Sequence, residues 1–492
     1  MDRPYNGFPI MATAPSPALL SRLSDLLGPS GFTQDPDLLE PWLADWRGRY
    51  RGVSCALLSP ATPQEVQAIV RLCAESGTPL VPQGGNTSMS AGATPPPDGS
   101  ALILSMRRMR AIRTIAAEAG YAVCEAGVIL SDLHDAALAV GRRFPLSLAA
   151  KGSATVGGLI STNAGGTQVL RFGTMRGLVR GIEAVLPDGS LFNGLAPLKK
   201  DNRGYDLRQL LIGAEGTLGI VTAASLTLVP TPVSRTVAWL GLKSPEDALT
   251  VLRRLEAGTG EAVESFELVP DVALQLVLQH IHGTRAPIGG SHAWHVLVEA
   301  VDSAEGTNVA DRLEALLGQA MEDGLVQDAA IAASDRQAED FWRLRESISE
   351  AERADGPATK HDISVEVDQM PRFVIEATQA AEARFPGTRV IAFGHLGDGN
   401  VHFNVRAPAG ASKEWVWQEG VAVTSFVHDL VTEAGGSISA EHGIGQMRLA
   451  ELARLSDPAR LGAMRAIKHA LDPKGIMNPG KLVPLADQGV RP

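Results

Sequence analysis

Cysteine is scarce in this chain: Cys55, Cys73 and Cys124 are the three thiols among 492 residues, and their spacing fits neither a disulfide framework nor a thiolate metal site. They are expected to be ordinary reduced thiols in a cytoplasmic protein. Long apolar runs are also missing, so no segment is read as a membrane-spanning helix. Basic residues are outnumbered, 44 Lys and Arg against 55 Asp and Glu, for a net charge of −11. That balance argues against nucleic acid as a partner, because a phosphate backbone needs clustered cations. No basic amphipathic helix points to a membrane surface, although peripheral attachment stays open. The N-terminus carries Pro4, Pro9, Pro15 and Pro17 and no continuous apolar core, so a secretory signal is not expected. Met11 offers an alternative start after a loose tail.

What is present is enough apolar residue, 45% of the chain, for more than one core, and the length predicts two or three domains. Helical spacing covers residues 18–27 and fades at Gly28-Pro29. Thr62 is an N-cap candidate, with Pro63 in the first turn and Glu65 completing a capping box. Strand character follows at 80–82, 101–104, 121–125, 181–193 and 217–229, with a helix at 131–140. Pro230-Thr231-Pro232 is the clearest break. Beyond it, a strand at 236–242 and a helix at 245–257 begin an α+β pattern, and a last helix is expected over 457–471.

Small residues gather in loops. Gln83-Gly84-Gly85-Asn86-Thr87-Ser88 follows a predicted strand, and successive glycines let backbone N–H groups turn toward an anion. It is neither a Walker loop nor G-x-G-x-x-G, and a plain turn is the alternative. The run from Lys151 to Gly166 has almost no bulky side chain, yet Val156, Leu159 and Ile160 argue against a flexible linker. Thr155 to Ile160 could start a helix facing a pyrophosphate. Arg171-Phe172-Gly173 and Gly213 to Ile220 add two more such turns. Loops spread over this much chain fit an extended, flat cofactor better than a single phosphate.

Near the C-terminus, Gly394-His395-Leu396-Gly397-Asp398-Gly399-Asn400-Val401-His402 holds two imidazoles around a Gly/Asp turn, and Glu441-His442-Gly443 sets a carboxylate beside a third. Two imidazoles and one carboxylate are a common ligand set for a divalent transition metal, with coordination positions left open for chemistry.

Pro82 to Thr87, Lys151 to Gly166, Asp201-Asn202-Arg203-Gly204-Tyr205-Asp206, Gly213 to Ile220, Gly394 to His402, Glu441-His442-Gly443 and Asn478-Pro479-Gly480-Lys481 occur here in one order. Together they resemble the FAD-dependent D-2-hydroxy acid dehydrogenases of the vanillyl-alcohol oxidase/p-cresol methylhydroxylase superfamily, from about residue 40 to the end. Glu40 to Gly52 looks most like the D-2-hydroxyglutarate branch. The resemblance implies an α+β fold: a two-part FAD-binding domain of that superfamily's type, and an α+β substrate domain whose antiparallel sheet caps the isoalloxazine. We expect an N-terminal tail and helix at 1–40, the FAD-binding domain at 41–231, the substrate and metal domain at 232–450, and a segment at 451–492 that completes the FAD domain.

By the same resemblance, FAD is expected against Pro82, Gly84, Gly85, Asn86, Thr87 and Ser88, and against Gly152, Ser153, Gly157, Gly158, Asn163, Gly165 and Gly166. Phe172, Gly173, Glu215, Gly216, Gly219, Ile220 and Asn478 complete its expected surroundings. Residues 83–92 contain neither His nor Cys, so the flavin is expected to be non-covalent. His395, His402 and Glu441 are implied as ligands of a divalent metal, zinc first. His442 is implied as general base, or as a residue that only orients the ligands.

Phe341 to Ser349 reads as a helix with Arg345 and Ser349 one turn apart on one face. Arg345, Ser349, Lys360 and Asn404 match substrate-binding positions of the hydroxyglutarate branch, which commonly has Thr where Ser349 stands. The alternative for Arg345 is an ion pair with Glu346 or Asp340 on a solvated face. Two cations beside a metal suit a dicarboxylate, so oxidation of D-2-hydroxyglutarate to 2-oxoglutarate is the first expectation, with D-lactate next and D-malate also compatible. Electrons are expected to go to a separate acceptor such as an electron-transfer flavoprotein or a quinone. An oxidase, a flavin subunit of a glycolate-oxidase-like complex and an alkyldihydroxyacetonephosphate-synthase-like transferase are the competing readings. The sequence is silent on oligomeric state, and a homodimer stays open.

Overall fold

The computed structural model describes residues 14–260, 262–302 and 308–484, so the expected tail and Met11 lie outside the described residues. The chain forms two compact units. The first comprises Met1–Gly165, Thr174–Pro230 and His442–Pro492, and the second Gly166–Gly173 and Thr231–Glu441.

In the first unit a small sheet orders Phe32–Thr33, Leu57–Leu58, Leu102–Ser105 and Leu80–Gln83, the last three parallel. The helix Pro63–Ser76 covers it. Thr62 Oγ1 accepts from Glu65 N at 3.1 Å, and Gly77 (φ 70°) closes the C-terminus. The Glu65 carboxylate reaches back to Ala61 N rather than to Thr62 N, one residue beyond the capping-box expectation. The helix Pro17–Gly31 bends at Gly28 (φ 62°) before a further turn, and Leu23 and Leu27 pack with Ile69, Val70 and Leu104. A five-stranded antiparallel sheet (Ile112–Ala116, Tyr121–Glu125, Ile220–Thr227, Val179–Val185, Leu191–Gly194) forms the other layer.

The C-terminal segment closes this unit. Leu80 N donates to Ile476 O and Asn478 N to Leu80 O, both at 2.8 Å, so Met477 lies as a strand beside Leu80 and both side chains are fully buried. The return into the first unit starts at His442, earlier than the expected 451. The cause is Glu215, whose two carboxylate oxygens accept from Ile444 N and Gly445 N, each at 2.8 Å.

The second unit is built on one antiparallel sheet, seven strands among the described residues. In chain order they are β1 (Ser234–Leu242), β2 (Val263–Pro270), β3 (Trp294–Asp302), β4 (Val326–Ile331), β5 (Ala358–Ser364), β6 (Arg389–His395) and β7 (Asn400–Arg406). Their spatial order is β4-β1-β3-β2-β6-β7-β5. Trp239, Val269, Leu297, Phe341, Leu344 and Phe393 form one core against the helices Asp271–His280 and Asp335–Glu346. Among the described residues no helix is long and apolar enough to cross a membrane. The three cysteines are free thiols.

Candidate active site

Alternation along β5, β6 and β7 puts one set of polar side chains on one face of the second unit's sheet. On β7, Val401, Phe403 and Val405 are fully buried on the opposite face, which leaves Asn400, His402 and Asn404 on this one. The register extends the set sideways. His402 lies opposite Asp362 and Phe393, Asn404 opposite Lys360, and His395 opposite both Asn400 and, on β2, Glu267. The turn between His395 and His402 needs Gly399 (φ 79°), where any side chain would collide with the Val365 carbonyl.

Glu441 reaches the same face through an added stretch of chain. Ser437 exchanges backbone hydrogen bonds with Ser364 at the end of β5 (2.8 and 3.0 Å), and Ala440 N donates to Asp362 O. The Asp362 carboxylate accepts from Glu441 N (2.9 Å) and from Asn400 Nδ2 (2.8 Å), which fixes the residue carrying the carboxylate. As a result His395, His402 and Glu441 each offer a donor atom within 4.8 Å of the others, with the two imidazole rings 5.5 Å apart. His395 Nδ1 lies 2.6 Å from Glu267 Oε1, so Nε2 is the nitrogen left to ligate.

The electrostatics suit a cation. Burial alone would pull His395 down, but the Glu267 carboxylate outweighs it and lifts the imidazole to about 9. Burial would raise Glu267, yet His395 and Arg345 hold it at about 2. Burial pushes Glu441 up to about 7, with Asp362, Asp398 and Glu267 adding to the rise. Two imidazoles and the Glu441 carboxylate, with Glu267, Asp362 and Asp398 around them, form a donor set that fits a divalent metal and keeps open positions.

Arg345, 8% exposed, lies over the Phe393 ring at 4.9 Å and donates from Nε to Glu267 Oε2 at 2.8 Å. Its Nη2 is 2.7 Å from the same oxygen, and that buried group has no hydrogen-bond partner among the described residues. Lys360 Nζ and Asn404 Nδ2 both meet the fully buried Glu352, at 3.1 and 2.7 Å.

In the first unit, the loops expected around the cofactor do come together. Gly85 passes so close to the Ser153 carbonyl that a Cβ would collide with it. Asn86, Asn163, Glu215 and Asn478 all adopt positive φ (52°, 51°, 50° and 41°), which turns their peptides within these loops. Asn478 Nδ2 ties Gly92 O to Glu215 O at 2.9 and 2.7 Å. Several buried polar atoms here lack a hydrogen-bond partner among the described residues: Gln83 Oε1, Thr155 Oγ1, Asn478 Oδ1 and Lys481 Nζ. Buried polar groups are rarely left so. Orphaned donors and acceptors beside loops that exclude a Cβ fit a large polar cofactor such as FAD.

Residues 231–482 match the family "FAD linked oxidases, C-terminal domain", and residues 55–194 match "FAD binding domain". The mitochondrial D-2-hydroxyglutarate dehydrogenase of Bos taurus is 40% identical over 93% of this chain and 82% of its own length. The chain belongs to the FAD-linked oxidase family. Within it, the chain is an FAD-dependent dehydrogenase that oxidises D-2-hydroxy acids. The Arabidopsis thaliana mitochondrial D-2-hydroxyglutarate dehydrogenase is 37% identical over 94% of this chain and 81% of its own. Among solved structures, p-cresol methylhydroxylase with substrate bound shares the fold at a TM-score of 0.70 with 15% identity, over 94% of this chain and 96% of that one. The FAD-binding fold of that superfamily and the α+β class follow.

For this family member, several expected residues sit differently from the sequence reading. The expected helix through Phe341 to Ser349 ends at Glu346, and a second runs from Ile348 to Asp355. Arg345 is therefore buried while Ser349 is exposed, with its carbonyl toward Lys360 Nζ at 3.4 Å; the two do not share a face. Arg345 pairs with Glu267. Gly166, Phe172 and Gly173 belong to the second unit, where Arg171 pairs with Glu264 at 2.7 Å. The remaining expected flavin residues, and His442, belong to the first. Asp201 pairs locally with Arg203 on the surface. Glu267, Asp362 and Glu352 were missed. Acidic residues inside an otherwise apolar strand, as in Val263 to Pro270, were the available signal for Glu267.

Proposed function

We propose that this chain oxidises D-2-hydroxyglutarate to 2-oxoglutarate at a divalent-metal centre held by His395, His402 and Glu441, and passes the electrons to a separate acceptor. The observation that supports it most is the convergence of those three donor groups beside the sheet face that Arg345, from the helix Asp335–Glu346, meets through Glu267. A divalent cation there, zinc being our first choice, would supply stabilisation of negative charge on the substrate hydroxyl oxygen, and bound FAD would supply the acceptor for the two electrons lost from the α-carbon.

The chain's own groups do the rest. Arg345, anchored by Nε, keeps buried Nη2 donors for a substrate carboxylate. Asn404 and Lys360, held together by Glu352, are the proposed contacts for the distal carboxylate. His442 follows the ligand Glu441 directly and is our candidate to take the hydroxyl proton. Residues 83–92 offer no His or Cys, which supports a non-covalent flavin. The named activities of the bovine and Arabidopsis relatives support the dicarboxylate substrate. An electron-transfer flavoprotein or a quinone is the proposed oxidant, and three free thiols support a reducing compartment such as the cytoplasm.

One observation favours a second reading. Glu352 already neutralises Lys360, which leaves Arg345 as the better placed cation and suits a monocarboxylate such as D-lactate. The deciding experiment is a substrate panel, D against L and mono- against dicarboxylate, with a dye acceptor, before and after chelation. Preference for D-2-hydroxyglutarate with loss of activity on chelation supports the proposal. A preference for D-lactate selects the second reading, and full activity in protein verified to be metal-free removes the metal.

A further inference from the structure

We propose that Glu267 is a positioning residue, which sets the metal-facing nitrogen of His395 with one carboxylate oxygen and aims Arg345 with the other. The inference rests on the proposed ligand set.

Glu267 and His395 are direct partners across the β2–β6 ladder, where opposed side chains on one face meet without any loop to place them. Glu267 is fully buried, and its two oxygens divide the work. Oε1 accepts from His395 Nδ1 at 2.6 Å, and Oε2 accepts from Arg345 Nε at 2.8 Å. With the Nδ1 proton held on this bond, Nε2 keeps its lone pair for a cation, and the ring cannot turn. The same carboxylate holds the near edge of the guanidinium, while Phe393 supports its plane at 4.9 Å. Nη2, buried and without a hydrogen-bond partner among the described residues, is thereby held beside Glu267 Oε2. One side chain thus fixes the relation between the cation that receives the hydroxyl and the cation that receives the carboxylate. A 2-hydroxy acid carries those two groups on adjacent carbons, so their spacing is the property such a site must hold constant.

Neither conservative replacement can do both tasks. In Glu267→Gln the negative charge that strengthens both bonds is gone, and one oxygen becomes an NH2 group that faces either the Nδ1 proton or the Arg345 Nε proton, so both the imidazole and the guanidinium are held less firmly. Glu267→Asp keeps the charge but is shorter by one methylene. The test uses the FAD-loaded protein and measures zinc retained against graded chelator, then KM and kcat with a dye acceptor at saturating zinc. Wild type is expected to retain one zinc per chain, and E267Q to release it at roughly 10- to 100-fold weaker chelation. At saturating zinc, kcat should largely recover while KM for the hydroxy acid stays raised, a split that general loosening of the fold would not give. Glu264→Gln is the control, since Glu264 is fully buried on the same strand but pairs with Arg171; it should retain zinc as wild type does. If E267Q loses its flavin, E267D carries the test, with weaker zinc retention expected at unchanged flavin content. Wild-type zinc retention and KM in the flavin-loaded Glu267 variant would overturn the inference. A wild-type protein that binds no zinc would instead sink the ligand set on which it rests.

Discussion

Lys481 is 2% exposed and its Nζ has no hydrogen-bond partner among the described residues. The nearby Lys468 shows what a settled buried ammonium looks like: it donates to Thr217 O at 2.7 Å and Met477 O at 2.8 Å and pairs with Asp472. Burial pulls Lys481 from an ordinary 10.5 to about 8, with only Asp98 and Glu215 acting against it. At about 1.4 kcal/mol per pH unit, the difference of roughly 2.5 corresponds to about 3 kcal/mol lost from the flavin-free fold at neutral pH.

The sign follows from linkage. Between pH 8 and 10.5 the unfolded chain binds the proton that folded Lys481 has released, so stability from this group rises with pH across that window, and below it the loss is complete. Lys481→Met is therefore expected to stabilise flavin-free protein by up to about 3 kcal/mol at pH 7, with the gain fading toward pH 10.5. The same change should weaken FAD binding if an anionic part of the cofactor is to be the partner of this cation. Urea unfolding of both flavin-free proteins from pH 7 to 10.5, with FAD titrations followed by fluorescence, reads both effects. A methionine variant that is less stable at pH 7, or whose difference from wild type does not change with pH, refutes the electrostatic argument. Undiminished FAD affinity refutes the assignment to the cofactor.

His395→Ala or Glu441→Ala is expected to abolish turnover while bound FAD, read by its absorbance, stays; loss of flavin along with activity would make these positions structural. Arg345→Ala should raise KM for the hydroxy acid by roughly 10- to 100-fold, the value of a charged hydrogen bond, with a partial fall in kcat; an unchanged KM removes Arg345 from the pocket. Glu352→Gln should release Lys360 and shift the ratio of kcat/KM for D-2-hydroxyglutarate over D-lactate upward by about tenfold, or ~1.4 kcal/mol. A constant ratio would mean that Lys360 does not meet the distal carboxylate.

Local patterns carried the reading where the chemistry is local. The helix after Thr62, the strand Tyr121–Glu125 and the helix ended by the Asp472 to Gly475 turn all depend on neighbours a few residues away, and all stand where periodicity and turn residues put them. His395 and His402 could be paired from sequence because one tight turn joins their strands. Glu267 could not, since its place beside His395 is a matter of register between strands more than a hundred residues apart in the chain. Ser349 was misplaced because nothing local marks Ser347 as the junction of two helices. Glu352 was passed over as one acid among several in a charged helix, although burial gives it a different role.

The pairing of Leu80 with Ile476 and Met477 has a consequence for how the protein is made. A ribosome delivers the Leu80 edge long before its partner, which follows the whole of the second unit. Until then an apolar strand edge has no neighbour, a state open to wrong association. Nascent chains stalled before residue 476 should therefore depend on chaperones more than chains that extend past it, and the segment around Met477 decides whether the earlier-made core can seal.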